Sequence, residues 1–348
     1  MTAAPTGPRT WLPSALTALV SVLLLSAILE IGLRVTGSAT DADAPTAGDG
    51  EALAQSAREE VQNVEQPSLR GMATPSLDPD IVYELKPNHD WTYLHVPVHT
   101  NSLGFRGPEW ATGKDDGTLR IVGIGDSIMW GWGVPIESTY LSDLERRLRS
   151  RGLPIQCLNL AVPGYNTEQE VAQFRRQGLA LSPDLVIVGY TLNDTEGPIF
   201  GRSPPWYDGF RLFRLVRTRL EQLGALHDLQ GFERVRSALA SLAALTGRRR
   251  IPVVVIVYPQ ELRAFPPEPV ASAARAFGFA YVDLFAGFRQ YYAAHGLRGL
   301  EAFYVAPNDA HPNPAGHALI ADLVEPELKA LLEERIERRK RYSSSRRP

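Results

Sequence analysis

A serine, a histidine and an aspartate in this sequence have the types and surroundings that acyl transfer requires. Ser127 ends the tripeptide Gly-Asp-Ser, directly after an apolar run. A serine hydroxyl attacks a carbonyl carbon when a neighbouring base removes its proton. His311 stands two residues after Asp309 near the carboxyl end of the chain, so the pair offers a base and the carboxylate that orients it. We therefore expect Ser127, His311 and Asp309 to be the catalytic residues.

Acyl transfer also needs hydrogen-bond donors directed at the oxyanion that develops on the carbonyl oxygen. The backbone N–H groups of Ser127 and Gly164 and the side-chain amide of Asn193 could supply them. Two other histidines compete with His311 as the base. His317 falls within the last predicted helix, and His295 lies beyond the last predicted strand.

The elements that must position these residues alternate between short β-branched runs and helical stretches. Such alternation predicts a parallel sheet with helices on both faces. Strands are predicted at 119–125, 155–162, 185–190, 252–258 and 280–285. Helices are predicted at 138–151, 167–180, 209–247, 269–277 and 314–341, with Ser138 and Thr167 as N-caps.

The predicted strands bring the polar residues to one edge of the sheet. Ser127 follows the first strand, Gly164 the second and Asn193 the third. The carboxyl ends of parallel strands meet at the same edge, and ligands of open α/β sheets bind there. A loop before the last helix can bring His311 over that edge.

On these residues the sequence resembles the SGNH, or GDSL-like, hydrolase family. The landmarks are Gly-Asp-Ser at Ser127, Gly164 in Ala-Val-Pro-Gly-Tyr, Asn193 in Asn-Asp and His311 in Asp-x-His-Pro-Asn. They occur in the family's order and cover about residues 121–322. The resemblance implies a flavodoxin-like three-layer sandwich with a five-stranded parallel sheet. It also implies a Ser-His-Asp triad, ester or acetyl-ester substrates and no cofactor.

Two positions depart from the family's usual pattern. The family commonly has its acid three residues before the histidine, where this chain has Asn308, so the triad acid is assigned to Asp309. The family usually has glycine two residues before the asparagine of its third landmark, which is Asn193 here, and this chain has Thr191 at that position.

The chain before the predicted sheet divides into segments of different composition. Residues 10–29 carry no charge, a span long enough to cross a bilayer, and they begin a predicted transmembrane signal anchor at 10–35. Arg9 precedes the span and acidic residues follow it, which favours a cytoplasmic segment 1–9 and a body outside a bacterial inner membrane. A cleaved secretory signal is the alternative.

The rest of the chain is divided by the same reasoning. Residues 36–75 have the composition of a flexible linker, and 76–118 are expected to pack on the catalytic domain. The hydrolase domain is assigned to 119–333 and a basic tail to 334–348. Arg106 is expected to form an ion pair that locks the 76–118 segment to the domain, with contact to an anionic substrate as the alternative.

Charge and cysteine content exclude several classes of protein. A net charge of -3 gives no basic face for nucleic acid. The lone Cys157 excludes an intramolecular disulfide and a cysteine-based zinc cluster. Gly123-Ile-Gly125 lacks the third glycine of a dinucleotide loop. The sequence makes no prediction of oligomeric state.

The expected function is hydrolysis of an ester that joins an acyl group, expected to be acetyl, to a hydroxyl of an envelope or secreted carbohydrate. One alternative is an O-acyltransferase that uses the same triad with a sugar hydroxyl in place of water. The other is an inactive carbohydrate-binding scaffold.

Overall fold

The computed structural model of the chain describes residues 69–111, 113–198, 229–259, 268–297, 300–306 and 309–344, together with Ser26 and Leu29. Several predictions therefore fall outside the described residues. They are nearly all of the 10–35 anchor, most of the 36–75 linker, the first part of the 209–247 helix and Asn308. Among the helices that can be examined, none is both long enough and apolar enough for a membrane span.

The segment before the sheet forms two small antiparallel pairs. A single helical turn, α1 (Leu69–Met72), leads into β1 (Ala73–Pro75), which pairs with β2 (Tyr83–Leu85). Next, β3 (His89–Tyr93) and β4 (Val96–Thr100) form a hairpin. Leu94 and His95 at its tip both have positive φ, 47° and 64°, as a tight two-residue hairpin turn requires.

A five-stranded parallel sheet follows. Its strands are β5 (Leu119–Gly125), β6 (Ile155–Asn159), β7 (Leu185–Tyr190), β8 (Val253–Val257) and β9 (Ala280–Asp283). They lie in the order β6-β5-β7-β8-β9, which is the strand order of flavodoxin-like folds. The predicted α/β fold with a five-stranded parallel sheet is confirmed.

Helices cover both faces of this sheet, as strands buried on both sides require. They are α2 (Ser127–Trp130), α3 (Tyr140–Ser150), α4 (Thr167–Arg176), α5 (Leu229–Gly247), α6 (Glu268–Ala276), α7 (Leu284–His295) and α8 (Pro314–Ser344). Ile121 of β5 belongs to the core that α3, α7 and α8 cover, and its neighbour Val122 belongs to the core under α4, α5 and α6. Three layers result.

The predicted ends of several elements are wrong by a few residues, and local hydrogen bonds explain why. The second strand stops at Asn159, whose Oδ1 accepts the N–H of Ala161 at 3.0 Å. The fifth strand stops at Asp283, which caps the unpredicted helix α7 by accepting from Phe285 at 2.8 Å. The N-caps of α3 and α4 are Thr139 and Asn166, not Ser138 and Thr167.

The chain before α8 is more regular than the predicted loop. β10 (Tyr304–Ala306) pairs antiparallel with β11 (Asp309–Pro312). α8 then continues as far as Ser344, so most of the segment separated as a basic tail is helical. The ribbon matters for the site because His311 lies on β11.

Candidate active site

Ser127 is the first residue of α2, directly after the carboxyl end of β5. Asp126 caps this helix, since its Oδ1 accepts the N–H of Ile128 at 3.0 Å. Gly125 permits the sharp turn, because a Cβ at that position would lie 2.9 Å from the Cβ of Met129. The strand-to-helix turn therefore presents Ser127 at the sheet edge where ligands of such folds bind.

His311 reaches Ser127 from β11. Its Nε2 lies 2.7 Å from the Oγ of Ser127. On the other side of the ring, Nδ1 is hydrogen-bonded to Oδ1 of Asp309, and the same oxygen accepts the backbone N–H of His311 at 3.1 Å. Because a carboxylate only accepts, Nδ1 carries the ring hydrogen and Nε2 is left to accept from the serine hydroxyl. The structure thus brings the three residues together in the arrangement expected of a triad.

The oxyanion donors expected from the sequence lie at the same sheet edge. The N–H of Val162 donates to the carbonyl of Gly125 at 3.1 Å, which holds the loop after β6 against the end of β5. Gly164 in that loop has a φ of +79°, a conformation that favours glycine. Across the residues that the structure describes, neither the N–H of Ser127 nor that of Gly164 is taken up by another acceptor.

Two tyrosines fasten the loop that carries Gly164. Tyr83 of β2 donates its hydroxyl to the carbonyl of Pro163 at 2.7 Å. In return, the hydroxyl of Tyr165 donates to the carbonyl of Tyr83, and the two rings meet edge to face with 5.1 Å between centroids. The segment before the sheet therefore helps to position a candidate oxyanion donor.

Two further aromatic rings lie behind the imidazole of His311. Trp132 stacks on it with 5.2 Å between ring centroids, and Tyr93 of β3 packs against Trp132 at 4.4 Å. The stack limits rotation of the imidazole about its bond to the chain. Sequence analysis missed both residues. The tryptophans in the run Met-Trp-Gly-Trp, directly after Ser127 and Ile128, could have indicated aromatic packing beside the nucleophile.

Asp126 links the nucleophile's helix to Asn193. Its side chain is buried, with Oδ2 lying 3.1 Å from the hydroxyl oxygen of Thr191, and it accepts from the side chain of Asn193. Burial raises the pKa of Asp126, while its hydrogen bonds and the nearby His311 act in the opposite direction. Sequence analysis treated Asp126 only as part of a motif.

Two more carboxyl groups are buried close enough to Asp126 to feel its charge. Burial raises the pKa of Glu170 well above its usual range, and the charges of Asp194 and Asp126 raise it further. Neither carboxyl oxygen of Glu170 has a hydrogen-bond partner within the described ranges. In those same ranges, no group of three or more His, Cys, Asp or Glu side chains is placed to hold a metal ion.

Arg106 joins the 76–118 segment to the domain as predicted, but the predicted ion pair is wrong: among the described residues, backbone carbonyls hold its guanidinium instead. The side chain is buried and donates to the carbonyls of Trp130 at 3.1 Å, Gly131 at 2.6 Å and Val134 at 2.7 Å. The carbonyls at the end of a helix have no hydrogen-bond partner within the helix. The guanidinium supplies donors to those at the end of α2. Burial lowers the pKa of Arg106 to about 10. A side chain enclosed in this way does not face a substrate.

The two competing histidines lie elsewhere. His295 ends α7 with an exposed ring. His317 lies in α8, fully buried, where its Nδ1 accepts the backbone N–H of Tyr140 at 3.2 Å. Burial lowers the pKa of His317 to about 3, and the charges of Arg106 and His311 act in the same direction. Neither ring is hydrogen-bonded to Ser127, so neither replaces His311 in the site.

Stability in acid is expected to depend on His317. Its pKa is about 3 in the folded chain and about 6.5 in the unfolded chain, so the unfolded state binds more protons between those values. The free energy of unfolding should be undiminished above pH 6.5 and should fall as the pH drops, by up to about 1.4 kcal/mol per pH unit. Urea unfolding at several pH values between 4 and 7 measures this slope.

The variant His317→Asn is expected to lose stability less steeply in acid. Its Oδ1 can accept from Tyr140 in place of Nδ1, but it cannot be protonated. His295→Asn is the matched control, because it removes an exposed imidazole and should keep the wild-type slope. Equal slopes for the wild type and His317→Asn would contradict this account.

The assembled geometry suits acyl transfer through a covalent serine intermediate. A hydroxyl hydrogen-bonded to a neutral imidazole can be deprotonated as it attacks, and an imidazole hydrogen-bonded to a carboxylate can hold the proton it gains. The fold and the site together define an α/β protein built for serine-mediated acyl transfer.

The comparison with known families agrees. The GDSL-like lipase/acylhydrolase family matches residues 124–319, which is more than half of the chain. The chain belongs to this family, and it is a hydrolase that acts on ester bonds.

The chain is also similar to solved structures. One is TesA, with 18% identity, a TM-score of 0.42 and coverage of 62% of this chain and 99% of that one. Another is a two-domain esterase active on acetylated mannans, co-crystallised with mannopentaose, with 17% identity, a TM-score of 0.45 and coverage of 62% and 50%. A third is a variant of Axe2, an acetylxylan esterase from Geobacillus stearothermophilus, with 17% identity, a TM-score of 0.42 and coverage of 60% and 93%. No curated protein matches the chain.

Proposed function

We propose that the chain is a serine esterase that removes an acetyl group from a carbohydrate hydroxyl, with Ser127, His311 and Asp309 as its triad. The observation that carries the proposal is the position of His311 between the other two residues. Its Nε2 lies 2.7 Å from the Oγ of Ser127, and its Nδ1 is bound to Asp309.

Attack begins when the Oγ of Ser127 bonds to the ester carbonyl carbon and its proton passes to Nε2 of His311. Asp309 holds the ring in the tautomer that can accept this proton and stabilises the imidazolium that results. The carbonyl oxygen becomes an oxyanion, which the N–H groups of Ser127 and Gly164 and the amide of Asn193 stabilise.

Collapse of this intermediate breaks the ester bond. His311 returns its proton to the departing sugar oxygen, so the alcohol leaves neutral and the acyl group stays on Ser127. A water molecule then gives its proton to His311 and attacks the acyl carbon. The acid is released and Ser127 recovers its hydroxyl hydrogen.

A small apolar cavity supports an acetyl group as the acyl part. Ile128 and Pro312, which directly follow Ser127 and His311, belong to its lining, together with Tyr258, Phe288 and Phe303. Its volume is about 20 Å³, a little more than one water molecule requires. A methyl group fits such a space, and we expect a longer alkyl chain to fit it less well.

We expect kcat/KM for aryl esters to fall at least about 10-fold from acetate to butyrate and further to octanoate, because each methylene that a pocket cannot hold costs about 10-fold or more. The measurement uses the full chain in detergent with a matched series of p-nitrophenyl esters. Ile128→Ala enlarges the cavity and should raise the ratio of butyrate to acetate activity. A wild type that prefers octanoate would exclude the acetyl assignment.

The same assay with other substrates tests whether the alcohol part of the ester is a sugar. Acetylated oligosaccharides replace the aryl ester, and free acetate is measured with and without an unacetylated acceptor sugar. If acetate is released and the acceptor sugar does not lower its amount, the result supports hydrolysis. Transfer of the acetyl group to the acceptor would identify an O-acyltransferase, and no release from any sugar ester would exclude the carbohydrate substrate.

The location that we propose is the outer face of a bacterial inner membrane, with the chain held by one N-terminal helix. Support comes from the uncharged residues 10–29, with Arg9 before them and acidic residues after them. An enzyme tethered there meets acylated envelope and secreted carbohydrates, which is why a sugar is proposed as the alcohol.

A further inference from the structure

Thr191 occupies the position, two residues before Asn193, at which the family usually has glycine. It directly follows β7 and its side chain is buried. Its backbone is extended, with a φ of -125°, so the conformation does not require glycine. The hydroxyl group is therefore an addition to the common pattern, placed beside a candidate oxyanion donor.

The hydroxyl of Thr191 contacts two acceptors. It lies 3.1 Å from Oδ2 of Asp126 and is hydrogen-bonded to Oδ1 of Asn193. The side chain of Asn193 is itself hydrogen-bonded to Asp126. The backbone N–H of Thr191 donates to Oδ2 of Asp194 at 2.7 Å, which fixes the residue from which the hydroxyl projects.

These contacts determine which way the amide of Asn193 points. An amide has an accepting oxygen and a donating nitrogen at nearly equal positions, so only its partners distinguish the two orientations. With the oxygen toward the Thr191 hydroxyl, the nitrogen is the amide atom left for Asp126 and for a substrate oxygen. In the reversed orientation, the amide oxygen would face the carboxylate of Asp126, where two acceptors repel each other.

We propose that Thr191 is a positioning residue for the reaction: its hydroxyl holds the amide of Asn193 so that an N–H faces the developing oxyanion. This inference rests on the proposed function, in which Asn193 is an oxyanion donor. Because Thr191 is buried, the proposal gives it no contact with the substrate. It acts only through Asn193, and this dependence is what the experiment measures.

The expected effect is smaller than the loss of the donor itself. Removing one oxyanion donor costs about 10²- to 10³-fold in kcat. Without the hydroxyl, the amide still donates in part of its orientations, so Thr191→Val should lower kcat about 10-fold and leave KM within about twofold. An interaction made mainly in the transition state changes kcat in this way. Thr191→Ser keeps the hydroxyl and should stay within about threefold of the wild type.

The experiment is a double-mutant cycle on an aryl acetate, with kcat, KM and melting temperature measured for each variant. The variants are Thr191→Val, Asn193→Ala and the two combined, with Thr191→Ser as the conservative replacement. Thr246→Val is the matched control, because it also removes a buried threonine hydroxyl, one that donates to the carbonyl of Leu242 at 2.8 Å in α5. It should leave kcat unchanged.

The proposal holds if Thr191→Val costs about 10-fold in the wild type but less than about twofold in Asn193→Ala. It is overturned if Thr191→Val costs as much in both backgrounds, if Thr191→Ser loses as much as Thr191→Val, or if Thr191→Val equals the wild type. Failure of the proposed function looks different, because Ser127→Ala or Asn193→Ala would then retain the wild-type rate.

Discussion

Replacing Ser127 with alanine is expected to lower kcat for ester hydrolysis by about 10⁴- to 10⁶-fold. In the proposed mechanism the Oγ of Ser127, which lies 2.7 Å from Nε2 of His311, is the atom that bonds to the acyl carbon, and alanine has no atom that could do so. The fold should be unaffected, because the hydroxyl is only partly buried at the first position of a short helix. Steady-state rates and melting temperature measure the two effects separately.

Ser241→Ala is the matched control for this substitution. Ser241 is exposed on α5, and its hydroxyl donates to the carbonyl of Ser237 at 3.0 Å within the same helix. Its kcat should equal that of the wild type. Should Ser127→Ala retain more than about a hundredth of the wild-type kcat, the nucleophile would be a different residue.

Asp309→Asn is expected to lower kcat by up to about 10⁴-fold, the loss that a serine-protease triad shows for the same change. The physical reason is the ring hydrogen of His311. A carboxylate accepts that hydrogen at Nδ1, whereas an amide that donates to Nδ1 would move it to Nε2. Nε2 could then no longer accept the proton of Ser127. In the proposed mechanism Asp309 acts through His311, so KM should change little.

Asn308→Ala is the informative control for the identity of the triad carboxylate. Position 308 is where the family usually has its carboxylate, and this chain has an amide there. If Asp309 is the triad acid, Asn308→Ala should leave kcat within about threefold. If instead Asp309→Asn leaves the rate intact, His311 works without that carboxylate, either as a dyad with Ser127 or with its second hydrogen bond to a backbone carbonyl.

Sequence reasoning located the strands best where a polar residue ends an apolar run. The first and third strands were predicted with the bounds that the structure gives them, because Asp126 and Thr191 stop the runs abruptly. Since the site residues follow those strands, their convergence on one edge was predictable from strand order alone. The position of His311 was also predictable in outline, but not the ribbon of β10 and β11 that carries it, because short strands at such spacing resemble loops.

Contacts between distant segments were the part that the sequence could not supply. Arg106 looked like an ion-pairing residue, since nothing in its neighbourhood reveals that three carbonyls, two at the end of α2 and one in the turn after it, hold its guanidinium. In the sequence, Glu170 is one of several polar residues near the start of a helix, yet it is buried beside other carboxyl groups. Burial of this kind depends on which helix face meets the sheet, and the local pattern does not determine it.

The hydrogen bond from Tyr83 to Pro163 and the packing of Tyr93 on Trp132 both originate upstream of residue 124, where the family match begins. The family region is therefore not an exchangeable cassette in this chain. If residues 124–319 were joined to a different N-terminal segment, the carbonyl of Pro163 would lose its hydrogen bond from Tyr83 and the indole of Trp132 would lose its contact with Tyr93. The new segment would have to supply both contacts with aromatic side chains of its own.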